Sequence, residues 1–185
     1  MYAYSTLEHM GIVSIGMGIG GIALIAGILQ VFLHSFVKSS MFFQLGQAHR
    51  ILKTYRIGKS GNYFNINPSG ALVILLGTII LVAIPPSGIF VSELMLFTSL
   101  ALSGQWILFM AIVFLLCLIL FGIFTKILPF LFADFSNPYS NSKAIHPGET
   151  FIQFLFLFVC IVLCFYRPAL LMEIIRRIAD LSLYY

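Results

Sequence analysis

Ionisable side chains stand inside sequence that is otherwise apolar, where a charge at the centre of a bilayer costs about 2.5 to 17 kcal/mol. In QVFLHSFVKSSMFFQLGQ (30–47), Gln30, His34 and Lys38 recur every fourth residue and share one helical face, and Ser35 and Ser39 extend the polar sector. Such a stripe of donors and acceptors has the form of a hydrated proton path. A lysine held out of water can cycle between charged and neutral forms, and a histidine titrates near neutrality. The competing reading is a stripe that only joins helices by hydrogen bonds. Glu93, in GIFVSELMLF (88–97), follows the double proline Pro85–Pro86 and sits about 10 Å into the next helix. A carboxylate there can take up or release a proton as neighbouring charges change, or it is paired for structure. Glu8 and His9, in YSTLEHMG (4–11), lie near one end of the first apolar segment, with Ser5 placed to bond Glu8; an interfacial position is the alternative. Lys126 either snorkels from near the end of its segment or faces an inner channel, and Arg167, before Pro168, reads as an interface anchor. Cys117, Cys160 and Cys164 lie in apolar runs without a metal-binding spacing and read as packing residues.

The elements that position these groups are helices in a membrane. Of 185 residues, 61% are hydrophobic and 9% charged, and mean hydropathy is +1.06. A soluble domain has nearer a quarter of its residues charged and could not cover its surface with so few. The apolar stretch 3–46 is about twice the length needed to cross, so it turns back once, at GMGIGG (16–21). The spans are expected near 3–19 and 21–46, then, after a polar loop or surface helix at 47–67, near 69–84, 88–102 and 105–131. Breaks at IPPSG (84–88) and SGQW (103–106) separate the last three. A loop follows at 132–149, then a sixth span over roughly 150–172 and an interfacial tail ending in tyrosines. The expectation is therefore an all-α integral membrane protein of about six transmembrane helices, with 1–131 as the main unit and 150–185 as a final helix and tail. Arg50, Lys53, Arg56, Lys59, Arg176 and Arg177 fall on one side and mainly Lys143 on the other, which places both chain ends in the cytoplasm by the positive-inside rule. These basic residues mark topology and form no aromatic-interleaved stripe, so nucleic-acid binding is not expected. No signal peptide is evident at the N-terminus.

Three segments, AYSTLEHMG (3–11), HSFVKSSMFFQLGQ (34–47) and GTIILVAIPPSGIFVSELMLF (77–97), in this order and separation, resemble the antiporter-like family. That family holds the proton-pumping membrane subunits of respiratory complex I, subunits of multi-component cation/proton antiporters, and membrane subunits of energy-converting hydrogenases. Within it, EHMG and PPSGIFVSE look most similar to the hydrogenase-4 type membrane component of formate hydrogenlyase-like complexes. The resemblance covers 3 to about 130. It implies a fold of about fourteen helices with two inverted five-helix repeats, each with a broken helix, of which this chain resembles the second repeat plus one last helix. It implies that Lys38 is a central proton carrier with His34 beside it, that Glu93 is the terminal carrier toward the exit, and that His9 occupies a polar position on the preceding helix. The first repeat, with its glutamate–lysine pair, has no counterpart here, which implies a fragment, a split gene or a remnant.

The function expected is that of a proton-translocating membrane subunit of a hydrogenase-4 or NADH-quinone oxidoreductase type complex in the cell inner membrane. Lys38, His34 and Glu93 would carry the proton, and Glu8, His9, Gln30 and Lys126 would play secondary parts. No cysteine set for an iron–sulfur cluster and no dinucleotide fingerprint is present, so no cofactor is expected in this chain. Its expected partners are other membrane subunits, one of them supplying the missing N-terminal helices, and the lipid bilayer. The alternatives are a cation/proton antiporter subunit and a non-functional structural fragment.

Overall fold

A computed structural model describes residues 2–53, 61–133 and 147–182. Its elements are all helical: α1 (Tyr2–Ile19), α2 (Gly21–Leu52), α3 (Tyr63–Ile66), α4 (Pro68–Leu81), α5 (Gly88–Leu102), α6 (Trp106–Phe132), α7 (Pro147–Phe165) and α8 (Ala169–Ser182). Helices α2, α6 and α7 are each long and apolar enough to cross a membrane, and α4 and α5 are shorter apolar helices either side of a break. The chain is a multi-pass integral membrane protein.

Helix α2 is the axis of the bundle, with α1, α4, α5, α7 and α8 packed around it. α1 doubles back onto it through Gly20, whose φ of 78° suits a residue without a Cβ. Small residues then let the two backbones touch. A Cβ on Gly16 would stand 2.6 Å from the carbonyl oxygen of Ala23, and one on Gly27 3.3 Å from that of Val13. This close approach brings the polar groups of α1 within reach of those of α2. One apolar core gathers Leu33, Val37 and Met41 of α2 with residues of α4, α5, α6 and α7. A smaller one joins Ile12, Ala23, Ala26, Leu96, Leu100 and Ile112.

Helix α4 begins with Pro68 in its first turn, and the Asn67 side chain accepts a hydrogen bond from Gly70 N at 3.1 Å. It ends at Leu81. The chain then passes through a cis Pro85–Pro86 bond, and Ser87 caps α5 by accepting from Phe90 N at 3.1 Å. The break thus falls at the double proline, because proline can neither continue a helix nor leave its predecessor helical. A second break centres on Gly104 (φ 71°).

Two features differ from the expectation. Helix α2 continues to Leu52, so Gln47 and Arg50 are helical and not part of a loop. Nothing in QAHRIL breaks a helix, and polarity alone does not end one. The last apolar segment stops at Phe165, short of 172, because Pro168 interrupts it; the tail then forms the separate helix α8. Arg56, Lys59 and Lys143 lie outside the described residues, as do the terminal tyrosines.

Candidate functional site

Gln30, His34 and Lys38 are all buried on the face of α2 that meets α1 and α5. Lys38 Nζ donates to the backbone oxygen of Tyr2 and, at 2.6 Å, to the Ser5 hydroxyl; Ser5 in turn donates to the same Tyr2 oxygen at 2.9 Å. The rings of Tyr2 and Phe42 lie 5.9 and 5.6 Å from Nζ. Among the described residues Lys38 makes no ion pair. Neutral oxygens and ring faces solvate the ammonium.

One turn along α2, the His34 ring stands 4.5 Å from the His9 ring of α1. Neither nitrogen of His34 has a hydrogen-bond partner among the described residues, though both are buried. Buried polar atoms of this kind are ordinarily served by ordered water. His9 Nδ1 lies 2.7 Å from Gln30 Nε2 and 4.0 Å from Glu93 Oε1. Gln30 Nε2 also donates to Glu93 Oε1 at 3.4 Å, while its Oε1 accepts from Ser92. As an amide N–H₂ can only donate, His9 Nδ1 is the acceptor in this contact and any proton on the neutral ring is on Nε2. Beyond Glu93, a cavity of about 140 Å³ opens, lined by Glu8, Glu93, Val82, Phe97 and residues of α6.

The side chains therefore run from Lys38 through His34 and His9 to Glu93, with Gln30 bridging the last two and Glu8 sharing the cavity with Glu93. Helix α1 supplies the middle of the run, α2 its start and α5 its end. Among the described residues no three His, Cys, Asp or Glu side chains gather as a metal site.

Several expected members lie elsewhere. Ser35 and Ser39 lie off the buried stripe and donate back to the carbonyls of Phe32 and Ser35 at 2.7 and 2.8 Å. Each is one residue, about 100° of helical rotation, beyond His34 or Lys38, which turns it away from the buried face. Among the described residues Ser5 does not bond Glu8: its single O–H proton goes to the carbonyl three residues back, leaving none for a carboxylate, and its oxygen accepts from Lys38. Lys126 is on the exposed face of α6 and does not join the run. Arg167 is exposed, with its guanidinium 3.9 Å from Met95 Sδ. Cys160 is buried and donates to Leu33 O at 3.6 Å, whereas Cys117 is exposed and lines the rim of the cavity.

Residues not singled out from the sequence complete the surroundings: Ser92 on Gln30, and Tyr2, whose hydroxyl pairs with Thr78 at 2.8 Å. A signal for Tyr2 exists. Tyr2, Ser5 and His9 fall at i, i+3 and i+7, one face of α1, so the polar positions of that face are readable as a set.

Comparison with known proteins gives these arrangements a context. The family model described as "NADH:quinone oxidoreductase/Mrp antiporter, TM" matches residues 1–121. A hydrogenase-4 component F homolog of Methylacidiphilum infernorum is 36% identical over 100 residues, 54% of this chain and 21% of its own length. The chloroplastic NAD(P)H-quinone oxidoreductase chain 4 of Adiantum capillus-veneris is 33% identical over 172 residues, 84% of this chain and 33% of that one. The chain thus spans between about a fifth and a third of the curated relatives it matches. In the structure of the Mrp complex from Dietzia sp. DQ12-45-1b, one chain superposes with a TM-score of 0.71 at 17% identity, over 97% of this chain and 40% of that one, which establishes a shared fold. With the family match extending through α1 to α5 and most of α6, this chain belongs to the NADH:quinone oxidoreductase/Mrp antiporter family of membrane subunits.

Proposed function

We propose that the chain is a proton-translocating membrane subunit of a multi-subunit oxidoreductase, of the hydrogenase-4/formate hydrogenlyase or NADH-quinone oxidoreductase type, in the cell inner membrane. The observation that carries this reading is the buried run Lys38–His34–His9–Glu93, in which helices α1, α2 and α5 each contribute a titratable group. Lys38 holds a proton against Ser5 and the Tyr2 carbonyl. When a neighbouring charge changes, it yields the proton to His34 through water; His9 relays it to Glu93, and Gln30 keeps the His9 ring and the Glu93 carboxylate aligned. Both histidines alternate between neutral and protonated forms, and Lys38 is reprotonated from the aqueous side to complete a cycle.

Redox cofactors belong to partner subunits in this reading, and charge movements there drive the pKa changes here. One partner supplies the helices that the longer relatives possess beyond the matched region. The support for membrane partners is the largely exposed, strongly apolar α6. The test is Lys38→Ala in the intact complex. Assembly should be normal and proton translocation reduced, with Glu93→Gln giving the same result. Unchanged translocation in a correctly assembled Lys38→Ala complex would remove the carrier role.

A second reading, a cation/proton antiporter subunit, draws on one observation: Glu8 and Glu93 share the cavity, and paired carboxylates suit a hard cation. Translocation that depends on sodium and is abolished by Glu8→Gln would favour it over the redox-coupled reading.

A further inference from the structure

On the outer side of the bundle, α2 and α7 part to leave an open groove of about 450 Å³. Its lining is layered. Phe42, Phe43 and Ile152 form apolar walls, all three largely exposed. Gln47 and Gln153, 1% and 2% exposed, lie at its floor. At the rim the Arg50 guanidinium donates to the Glu149 carboxylate. We propose that this groove binds one membrane glycerophospholipid with a primary ammonium headgroup, of the phosphatidylethanolamine class.

Depth is the first support. α2 has 32 residues, about 48 Å, against a hydrocarbon core of about 30 Å, so its C-terminal turns stand at headgroup level. The groove lies along those turns, with its phenylalanines toward the acyl region and its ion pair outermost. Charge is the second. The rim offers a cation and an anion side by side, which complements a zwitterion better than it does an anionic or a neutral headgroup. Arg50 commits two of its five N–H donors to Glu149 and keeps others for a phosphate oxygen.

The third support is Gln153. Its Oε1 is buried and has no hydrogen-bond partner among the described residues. A buried acceptor left unmade is costly, and a ligand that donates to it is favoured. Gln153 lines the groove one helical turn from Glu149, so a turn of its amide brings Oε1 out to an ammonium resting on the Glu149 carboxylate. A trimethylammonium group has no N–H and cannot.

The groove shares Phe42 with the surroundings of Lys38 but none of the titratable residues of the run, and its test reads bound lipid, not translocation. The full chain, purified with the membrane partners it retains, is equilibrated in nanodiscs of mixed phosphatidylethanolamine, phosphatidylglycerol and phosphatidylcholine with identical acyl chains. Retained lipid is then identified by native mass spectrometry. Phosphatidylethanolamine should be enriched about tenfold over phosphatidylcholine, the effect of one charge-assisted hydrogen bond. Enrichment should decline stepwise through the N-methylated headgroups and fall in Gln153→Met, whereas Arg50→Gln, which alters only an exposed rim, should lower the retention of all three lipids. Equal retention of phosphatidylcholine, preference for phosphatidylglycerol, unchanged lipid retention in Arg50→Gln, or a photo-cross-linker at Phe43 that captures protein and no lipid would each overturn the proposal.

Discussion

Replacing His9 with leucine tests the order of the proton path more sharply than replacing either end. The His9 ring reaches groups of both α2 and α5: 4.5 Å to the His34 ring, 2.7 Å from Nδ1 to Gln30, and 4.0 Å to Glu93 Oε1. Leucine fills a similar volume in a site that is 1% exposed, so packing is largely kept. It offers no nitrogen. His34 and Glu93 are then left without a titratable group between them, across a distance that one hydrogen bond of about 3 Å cannot close. Gln30 still reaches Glu93 at 3.4 Å, but an amide does not exchange protons at neutral pH as an imidazole does. Loss of one positioned proton-transfer group lowers rates by about 10²–10⁴-fold, and a fall of at least about 10²-fold is expected here. The assay is substrate-driven acidification of inverted membrane vesicles, read by a pH-sensitive dye, with assembly checked by native gel electrophoresis. Gln30 loses its 2.7 Å partner in the same variant, so His9→Asn, which restores a hydrogen-bonding side chain without a titrating one, should remain defective. Wild-type acidification by an assembled His9→Leu complex would refute the relay through α1.

Ser5→Ala removes one of the two oxygens that hold the Lys38 ammonium and should reduce translocation by about tenfold with assembly intact, measured in the same vesicles. Tyr2→Phe is its control: it deletes the hydroxyl on Thr78 but leaves the backbone oxygen that Lys38 uses, so stability should fall by about 0.5–1.5 kcal/mol in a detergent thermal melt while translocation persists. Gly16→Val drives a side chain into the Ala23 carbonyl and should destabilise the α1–α2 hairpin by about 1–3 kcal/mol, visible as lower assembled yield. Lys126→Ala, on the exposed face of α6, should leave translocation unchanged; a large loss would place α6 in the path.

Periodicity along single helices is readable in the sequence, and contacts between helices are much less so. The recurrence of Gln30, His34 and Lys38 at every fourth residue is enough to put them on one face, and the structure buries all three. The double proline marks the break before Glu93, because its effect on the backbone is local. The central place of His9 is not readable to the same degree. It depends on how closely α1 lies on α2, and that distance is set by Gly16 and Gly27 meeting backbone atoms of the other helix. From α1 alone, Glu8 and His9 are adjacent and equivalent; in the bundle His9 turns inward between two helices while Glu8 is only half-buried at the cavity. Ser35 and Ser39 show the converse error. Counting them into a polar sector overlooks that a serine can satisfy itself on its own helix and face outward without cost. The helical end of α2 escapes for a related reason, since composition separates wet from dry sequence and says little about where a helix stops.

The shortness of α4 and α5 has a consequence for how the protein enters the membrane. With 14 and 15 residues they measure about 21 and 22 Å, less than the hydrocarbon thickness, and α5 carries a carboxylate. Neither is a competent insertion signal alone, whereas α6 has 27 residues with Lys126 as its single charge and can partition into lipid as soon as it is made. The order of synthesis and the order of consolidation therefore differ. Helices α1, α4 and α5 must wait at the translocon or against α2 until their polar groups find one another, while α6, synthesised after them, can settle first. A chaperone-like demand is thus written into the amino-terminal part of the chain, and slowing translation between α2 and α5 would prolong the interval in which Lys38 faces lipid without the helix of Glu93 for cover.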